Sequence, residues 1–279
     1  MAKAPIQVVW FKRDLRIHDH APLSNAAAAG TVLPVFAIEP EQWQAPDSAL
    51  RHWQFAADSL ADLSQALGTL GLPLCLWQGS MLDLLAALKA HYGEFALHSH
   101  EETGNAWSFA RDLDVKAWCQ QHGTPWHEAR QRGVVRGLKS RMADRNAWEK
   151  QWETLMTAPT ATAPQNAQAA QGWQAFHHID VEQLLDLTLG FDTTPCPERQ
   201  PGGRSEGRAV WRSFINQRGR RYRGSLSKPL LAWEFGSRLS PHLAWGTLSM
   251  REVVQSLRRQ RKKHAEDTAW SRSLRAFAS

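Results

Sequence analysis

Five short apolar runs, separated by stretches with helical spacing, constrain the fold of this chain more than any other feature of its sequence. The runs occupy residues 6–11, 31–38 and approximately 72–77, 94–98 and 124–128. The helical stretches between them lie near residues 21–29, 48–70, 80–90 and 105–122. Short buried strands that alternate with helices predict an α/β fold with a doubly wound, parallel five-stranded sheet, similar to a Rossmann fold.

Two polar loops mark the place where such a sheet binds ligands, beyond the carboxyl ends of its strands. Residues 12–20 follow the first strand, and residues 98–105 follow the fourth. No G-x-G-x-x-G sequence follows the first strand, so the dinucleotide fingerprint is absent. His98 and His100 have a spacing that could suit a metal, but without an evident third ligand we expect a surface pair and no metal site.

A strongly basic segment lies in the second half of the chain. Residues 199–228 carry nine Lys or Arg side chains against one acid, Glu206, in a chain of net charge +6. Arginines at four-residue intervals beside an apolar face formed by Val210, Trp211, Phe214 and Ile215 predict an amphipathic helix with a positive stripe. A solvated charged face is one explanation, and contact with nucleic-acid phosphates is the other. The candidate DNA-contacting residues are Arg204, Arg208, Arg212, Arg220, Arg221 and Arg223.

The stretch at residues 235–246, Phe-Gly-Ser-Arg-Leu-Ser-Pro-His-Leu-Ala-Trp-Gly, has the chemistry of a phosphate-binding turn. Ser240 can cap a helix whose first residue is Pro241. The backbone N–H groups at a helix start favour an anion, and Ser237 and Arg238 add a hydroxyl and a forked cation. The alternative is an ordinary capped helix with a surface arginine.

Two stretches of this sequence resemble signatures of one family. Residues 235–249 resemble the flavin-binding motif of the cryptochrome/DNA photolyase family, Thr-Ser-Arg/Lys-Leu-Ser-Pro-Tyr-Leu, with Gly236 in place of Thr and His242 in place of Tyr. Residues 10–20 resemble the family's opening, Trp-Phe-Arg-x-Asp-Leu-Arg-x-x-Asp-Asn, with His20 in place of Asn. In that loop, Arg13, Asp14, Arg16 and Asp19 alternate in sign. Ion pairs among them could brace the loop, and ligand contact is the alternative.

This resemblance implies two cofactor sites and a domain division. An antenna domain at residues 1–130 would precede a linker at 131–204 and the first helices of an all-α FAD-binding domain at 205–279. FAD would contact Tyr222, Gly236, Ser237, Arg238, Leu239 and Ser240. An antenna chromophore (a folate, a deazaflavin or a flavin) would contact Arg13, Glu101, Glu102 and Asn105, although a capped helix start with acidic charge also explains the last three.

The function that the resemblance implies is light-dependent DNA repair, in which a photolyase, a lyase enzyme, splits pyrimidine dimers in UV-damaged DNA with an electron from reduced FAD. A cryptochrome photoreceptor is the alternative, and a non-catalytic α/β fragment unable to retain flavin is a third. We expect a partial chain, with the catalytic electron-transfer and lesion-pocket residues beyond Ser279. Three scattered cysteines without a secretory segment predict a reduced, cytoplasmic protein, and the lack of any long apolar run predicts no membrane partner. We also expect a monomer.

Overall fold

The computed structural model describes residues 5–134, 136 and 143–278, and the chain forms two compact units. Unit 1 contains Met1–Gln131 and Ala161–Gly203, and unit 2 contains Arg132–Thr160 and Arg204–Ser279. The predicted linker, residues 131–204, is therefore divided between the two units. Its residues 135 and 137–142 lie outside the described part of the chain.

Unit 1 contains the predicted five-stranded, entirely parallel sheet, which confirms the α/β class. The strand order is β3-β2-β1-β4-β5. The strands are β1 (Ile6–Phe11), β2 (Thr31–Ile38), β3 (Cys75–Gln78), β4 (Phe95–His100) and β5 (Trp126–Ala129). The helices are α1 (Ala21–Ala29), α2 (Pro40–Trp43), α3 (Leu50–Gly68), α4 (Met81–Tyr92) and α5 (Ala106–Gln121), with 3-10 turns at Trp173–Phe176 and Val181–Asp186.

The central strands form the core of unit 1. Val8 of β1 lies between Leu33 of β2 and Leu97 of β4, and all three side chains are fully buried. Parallel strands with helices on both faces are apolar along their whole length, which is why the sequence shows runs and not alternation. Strand β3 begins at Cys75, three residues later than the predicted start at 72, because Pro73 cannot donate a ladder hydrogen bond.

Unit 2 is helical around a core of its own. Its helices are α6 (Ala143–Thr157), α7 (Arg204–Asn216), α8 (Tyr222–Ser225), α9 (Pro229–Phe235), α10 (Ser240–Ala244), α11 (Met250–Lys263) and α12 (Thr268–Ala278), with a 3-10 turn at Arg218–Arg221. As predicted, α7 buries Trp211, Phe214 and Ile215, which pack with Leu257 of α11 and Leu274 of α12. No helix in the described ranges is both long and apolar enough to span a membrane.

Candidate cofactor sites

The carboxyl ends of β1 and β4 meet at the point where the strand order reverses, and three buried polar side chains lie there. Asp14 Oδ2 accepts hydrogen bonds from His20 Nε2 at 3.0 Å and His100 Nδ1 at 2.7 Å, while Asp14 Oδ1 accepts from the backbone N–H of Lys12 at 2.7 Å. His20 Nδ1 accepts the N–H of Leu23, so His20 also caps α1. The three side chains hold the loop after β1 against the end of β4.

The pKa values of this trio describe a carboxylate held by neutral imidazoles. Burial alone would raise the pKa of Asp14, but the electrostatic effect of His20 and the hydrogen bonds from both histidines lower it well below the ordinary value. Burial lowers the pKa of His20, and it lowers the pKa of His100 to about 3. The alternating charges of the loop suggested ion pairs among Arg13, Asp14, Arg16 and Asp19. In the structure the buried carboxylate of Asp14 instead accepts hydrogen bonds from His20 and His100, while Arg16 braces the loop by donating to the carbonyls of His18 and Asp19.

The histidine expectation needs a second correction. His98 and His100 are buried and do not form a surface pair, with His98 Nε2 within 2.7 Å of Gln7 Oε1. The ligand atoms of Asp14, His20 and His100 lie within 4.8 Å of one another, the geometry of a metal-binding cluster. Spacing could not reveal this cluster because Asp14 and His100 are 86 residues apart. These atoms already hydrogen-bond to one another, which explains their arrangement without an ion.

A network of charged side chains fills the rest of this crevice. Arg111 of α5 binds Glu39 Oε2 at 2.9 Å and Asp112 Oδ1 at 2.9 Å, with Glu102 Oε2 at 3.5 Å. Lys12 Nζ binds Asp112 Oδ2 at 2.8 Å. Burial alone would lower the pKa of Arg111, but the three carboxylates, led by Glu39, raise it. The network therefore has charge pairing of its own without a ligand.

The Trp10 side chain lines the crevice, and two of the charged groups in the crevice pack against its ring. The Lys12 ammonium lies 4.4 Å from the centre of the Trp10 ring, and the Arg111 guanidinium lies 4.7 Å from it. The cavity that remains, lined also by Arg13 and Glu102, has a volume of about 10 Å³. That is space for one water molecule, whereas cofactor pockets measure about 300–1,000 Å³. The residues present do not fit an antenna chromophore at this point.

The four predicted antenna residues have protein contacts in the structure. Asn105 caps α5 by accepting the N–H of Ser108 at 3.1 Å, and Glu102 accepts the N–H of Thr103 at 2.8 Å. Glu101 lies 3.9 Å from Arg130, and the carbonyl of Arg13 accepts a hydrogen bond from Gln131. The structure thus places all four at the predicted edge of the sheet, where Asn105 caps α5 and the other three contact neighbouring segments of the chain.

Buried histidines make the stability of this chain depend on pH. Burial lowers the pKa of His98 to about 4, of His100 to about 3 and of His242 to about 4, from the ordinary 6.5. Because the unfolded chain binds these protons first, we expect stability to be complete above pH 6.5 and to fall as the pH falls toward 4. Each histidine contributes up to about 1.4 kcal/mol per pH unit.

Urea unfolding between pH 7 and pH 4 measures this dependence. His98→Gln keeps a hydrogen-bonding group beside Gln7 and removes one titrating group. The free energy of unfolding of this variant should therefore fall less steeply as the pH is lowered. A urea midpoint that stays constant from pH 7 to 4.5 would contradict the assignment.

The phosphate-binding stretch predicted in unit 2 forms a tight turn between α9 and α10. Arg238 has a backbone φ of 56°, the left-handed conformation that non-glycine residues seldom adopt. The hydroxyl of Ser237 accepts the N–H of Leu239 at 3.4 Å, and the Leu239 side chain is buried in the core of unit 2. The buried side chain of Leu239 therefore anchors the turn in the core of unit 2, and Arg238 lies at the centre of the turn.

Helix α10 begins one residue earlier than predicted. Ser240 is its first residue and Leu239, already in a helical conformation, is the N-cap, so no side chain caps this helix. The helix has only five residues, and its dipole is correspondingly small. His242 is fully buried, with Nδ1 3.0 Å from the hydroxyl of Thr247. The histidine that replaces the family's tyrosine is therefore a core residue.

Arg218 holds this turn in place, and sequence reasoning did not single it out. Its guanidinium donates to the carbonyl of Gly236, to the carbonyl of Ser237 at 2.9 Å and to the carbonyl of Val210 at 3.1 Å. Its Nε donates to Ser213 Oγ at 3.2 Å. The 18-residue separation from Gly236 gives no periodic signal, so only the folded chain shows this clamp.

The guanidinium groups of Arg218 and Arg238 both lie at the turn, and their electrostatic interaction tests whether a phosphate fits there. Burial, and then the neighbouring charge of Arg238, lower the pKa of Arg218 to about 10. A bound phosphate would relieve the repulsion between these cations, and guanidinium groups bind phosphate oxygens in a forked geometry. The guanidinium of Arg238 also lies 5.2 Å from the ring of Trp233. The donor set fits the phosphate end of a flavin nucleotide.

The other predicted residues of unit 2 fall into three groups. Tyr222 packs edge-on against Phe214 and Phe277, with ring centres 5.5 and 5.6 Å apart, at the start of the helix that leads into α9. Arg204 donates to both carboxylate oxygens of Glu252 at 2.8 Å, which joins α7 to α11. Arg220 pairs with Asp267 at 2.8 Å and Arg221 stacks on Phe235. Exposed cations without such a role are Arg208, Arg212 and Arg223.

Comparison with known proteins provides an independent test. The family model described as DNA photolyase matches residues 7–145. A deoxyribodipyrimidine photo-lyase of Streptomyces griseus is 27% identical over 262 residues, covering 91% of this chain and 55% of the relative. A cryptochrome DASH of Natronomonas pharaonis is 27% identical over 284 residues, covering 94% of this chain and 58% of the relative.

A solved structure shows the same fold at lower identity. The class III photolyase of Agrobacterium tumefaciens superimposes with a TM-score of 0.73 at 22% identity, covering 98% of this chain and 57% of that one. The chain thus spans somewhat more than half the length of the proteins it matches.

Proposed function

Because this chain belongs to the photolyase/cryptochrome family, we propose that it provides two parts of a flavoprotein that repairs UV-damaged DNA in the light. These are the α/β unit and the turn at Gly236–Ser240, called the cradle below, which binds the phosphates of FAD. The observation that carries this proposal is the pair of guanidinium groups, Arg218 and Arg238, at the Gly236–Ser240 turn. When bound, the reduced flavin supplies the electron that splits a pyrimidine dimer.

The residues of the cradle have different roles in binding FAD. Arg238 and the hydroxyl of Ser237 bind the pyrophosphate of FAD, while Leu239 anchors the turn in the core. Arg218 is a positioning residue, since its guanidinium donates to two carbonyls of the turn and to two oxygens of α7, and its charge acts through space. The exposed arginines of α7 and α8 face solvent and provide positive charge for a DNA backbone.

Repair is tested by irradiation. The purified chain is loaded with FAD, the flavin is reduced, and an oligonucleotide with one thymine dimer is added under blue light or in darkness. We expect the dimer content to fall in the light only. A flavin-loaded protein that leaves the dimers intact in the light would contradict repair. That result would favour a photoreceptor, as the similarity to a cryptochrome DASH also allows, or a non-catalytic α/β fragment.

The cradle itself is tested by substitution. We expect Arg238→Ala to weaken FAD binding about 10- to 100-fold, because a hydrogen bond to a charged group contributes about 1.5–3 kcal/mol. The control is Arg272→Ala, an exposed arginine of α12 whose Nε donates to the carbonyl of Thr268 in its own helix. Fluorescence titration of FAD measures both. Equal affinity of the two variants would contradict the role assigned to Arg238.

A further inference from the structure

An open, strongly cationic groove runs between α11 and α12 of unit 2, apart from the cradle. It has a volume of about 600 Å³, and it is lined by Arg258, Arg261, Lys262, Ala265, Ser271 and Arg275. Three of its four cations come from α11 and the fourth from α12. None of the described residues that line it carries a carboxylate, so these side chains offer an anion one hydroxyl and four positive charges.

The charges of the groove are mostly uncompensated within the described part of the chain. Glu153 of α6 pairs with Arg258 through both guanidinium nitrogens at 2.6 and 3.0 Å. In the described residues, this is the only ion pair that a carboxylate makes with a cation of the groove. The three remaining positive side chains share one concave surface and repel one another. A polyanion bound in the groove would replace this repulsion with electrostatic attraction.

The dipole of α11 explains only part of this arrangement. Cations in the last turn of a helix are stabilised by its dipole, which accounts for Arg261 and Lys262. Arg258 lies one turn earlier and Arg275 belongs to a different helix, so the dipole does not place them here. Side chains four residues apart lie on the same helix face, about 6 Å apart along the axis. Arg258 and Lys262 on α11, and Ser271 and Arg275 on α12, therefore form two facing rows.

The chemistry of the lining decides what such a groove binds. Small-molecule pockets are mainly apolar and aromatic, whereas the described residues that line this groove include no aromatic side chain and are mostly long cations. Long cations with a hydroxyl and without base-reading groups are typical of contacts to the phosphate backbone. We propose that the α11–α12 groove binds the phosphate backbone of a nucleic-acid strand. This inference rests on the proposed action on DNA and extends it to a surface outside the Arg204–Arg223 segment.

Two double variants of equal charge test the groove. Arg261→Glu with Arg275→Glu reverses two charges that line it. Arg259→Glu with Arg272→Glu reverses two exposed arginines on the same helices that do not. Both changes alter the net charge equally, and circular dichroism confirms that both variants are folded. Fluorescence anisotropy of a labelled DNA duplex, undamaged or carrying a dimer, is measured from 50 to 200 mM salt, with inorganic pyrophosphate as a competitor.

We expect the groove variant to bind both duplexes at least 10-fold more weakly than the control variant at 50 mM salt. Its plot of log affinity against log salt should be shallower by about 2, since each lost phosphate contact removes about 0.9. Equal weakening in the two variants would overturn the groove and leave the proposed function standing. A wild-type chain that binds neither duplex would overturn both, and a groove that binds pyrophosphate but no DNA would overturn the assigned ligand.

Discussion

Asp14→Ala is expected to lower the free energy of unfolding of unit 1 by about 3–5 kcal/mol, because it leaves buried hydrogen-bond donors without their shared acceptor. The side chain of Asp14 is fully buried, and it is the shared acceptor for His20, His100 and the backbone N–H of Lys12. Alanine would leave three buried donors without an acceptor, at about 1–3 kcal/mol each before relaxation.

The loss of stability should extend from the loop after β1 to helix α1. His20 caps α1 through its Nδ1 atom, and its ring is oriented by Asp14. Urea unfolding followed by tryptophan fluorescence gives the loss of stability, and amide hydrogen exchange in β1 and β4 places it in the structure. The control is Asp180→Ala, which removes an aspartate paired with His177 at the surface and should cost about 1 kcal/mol or less. Similar losses in the two variants would show that burial of the Asp14 trio contributes nothing.

Arg218→Met is the second substitution with a large expected effect, a loss of FAD affinity of about 100-fold or more. Methionine has a similar length but cannot donate the four hydrogen bonds that hold the turn to α7. The carbonyls of Gly236 and Ser237 would lose their donor, and the turn would lose a positive charge that is electrostatically coupled to Arg238. About 3 kcal/mol of binding free energy corresponds to this change in affinity.

Two further variants distinguish positioning from charge. Arg218→Lys retains the charge but replaces a planar fork with a single ammonium, so it should recover only part of the affinity. Arg220→Met changes a nearby exposed arginine that pairs with Asp267 and should leave FAD affinity unchanged. Full recovery by lysine would show that Arg218 acts by charge alone, which would contradict the clamp. Hydrogen exchange at residues 236–240 reports the order of the turn without flavin.

The sequence was sufficient for the parts of the fold that depend on local chemistry. The apolar runs predicted β1 and β2 to the residue, and the predicted helix at 21–29 coincides with α1. The apolar face of α7 followed from its spacing, because burial of one helix face is a local property of the sequence. The position of the crevice, beyond the carboxyl ends of the strands, followed from a general rule for parallel sheets. The order of the strands was not predicted and comes from the structure alone.

The parts that sequence reasoning missed depend on contacts between distant residues. His100 meets Asp14 across 86 positions, and Arg218 meets Ser237 across 19. Arg111 appeared to be an ordinary helix residue, yet it binds Glu39, 72 positions away, and fills the crevice. Volume is likewise invisible in a sequence: the predicted antenna residues lie where expected, but a cavity of about 10 Å³ remains between the side chains.

The central claim is that the Gly236–Ser240 turn of this chain binds the phosphate end of FAD, and one titration tests it most directly. The chain is titrated with FAD and, separately, with riboflavin, which has the same ring system and no phosphate; ADP is then added as a competitor. We predict that FAD binds, that riboflavin binds at least 10-fold more weakly, and that ADP displaces FAD. Equal binding of FAD and riboflavin, or no binding of FAD at any concentration, would contradict the account.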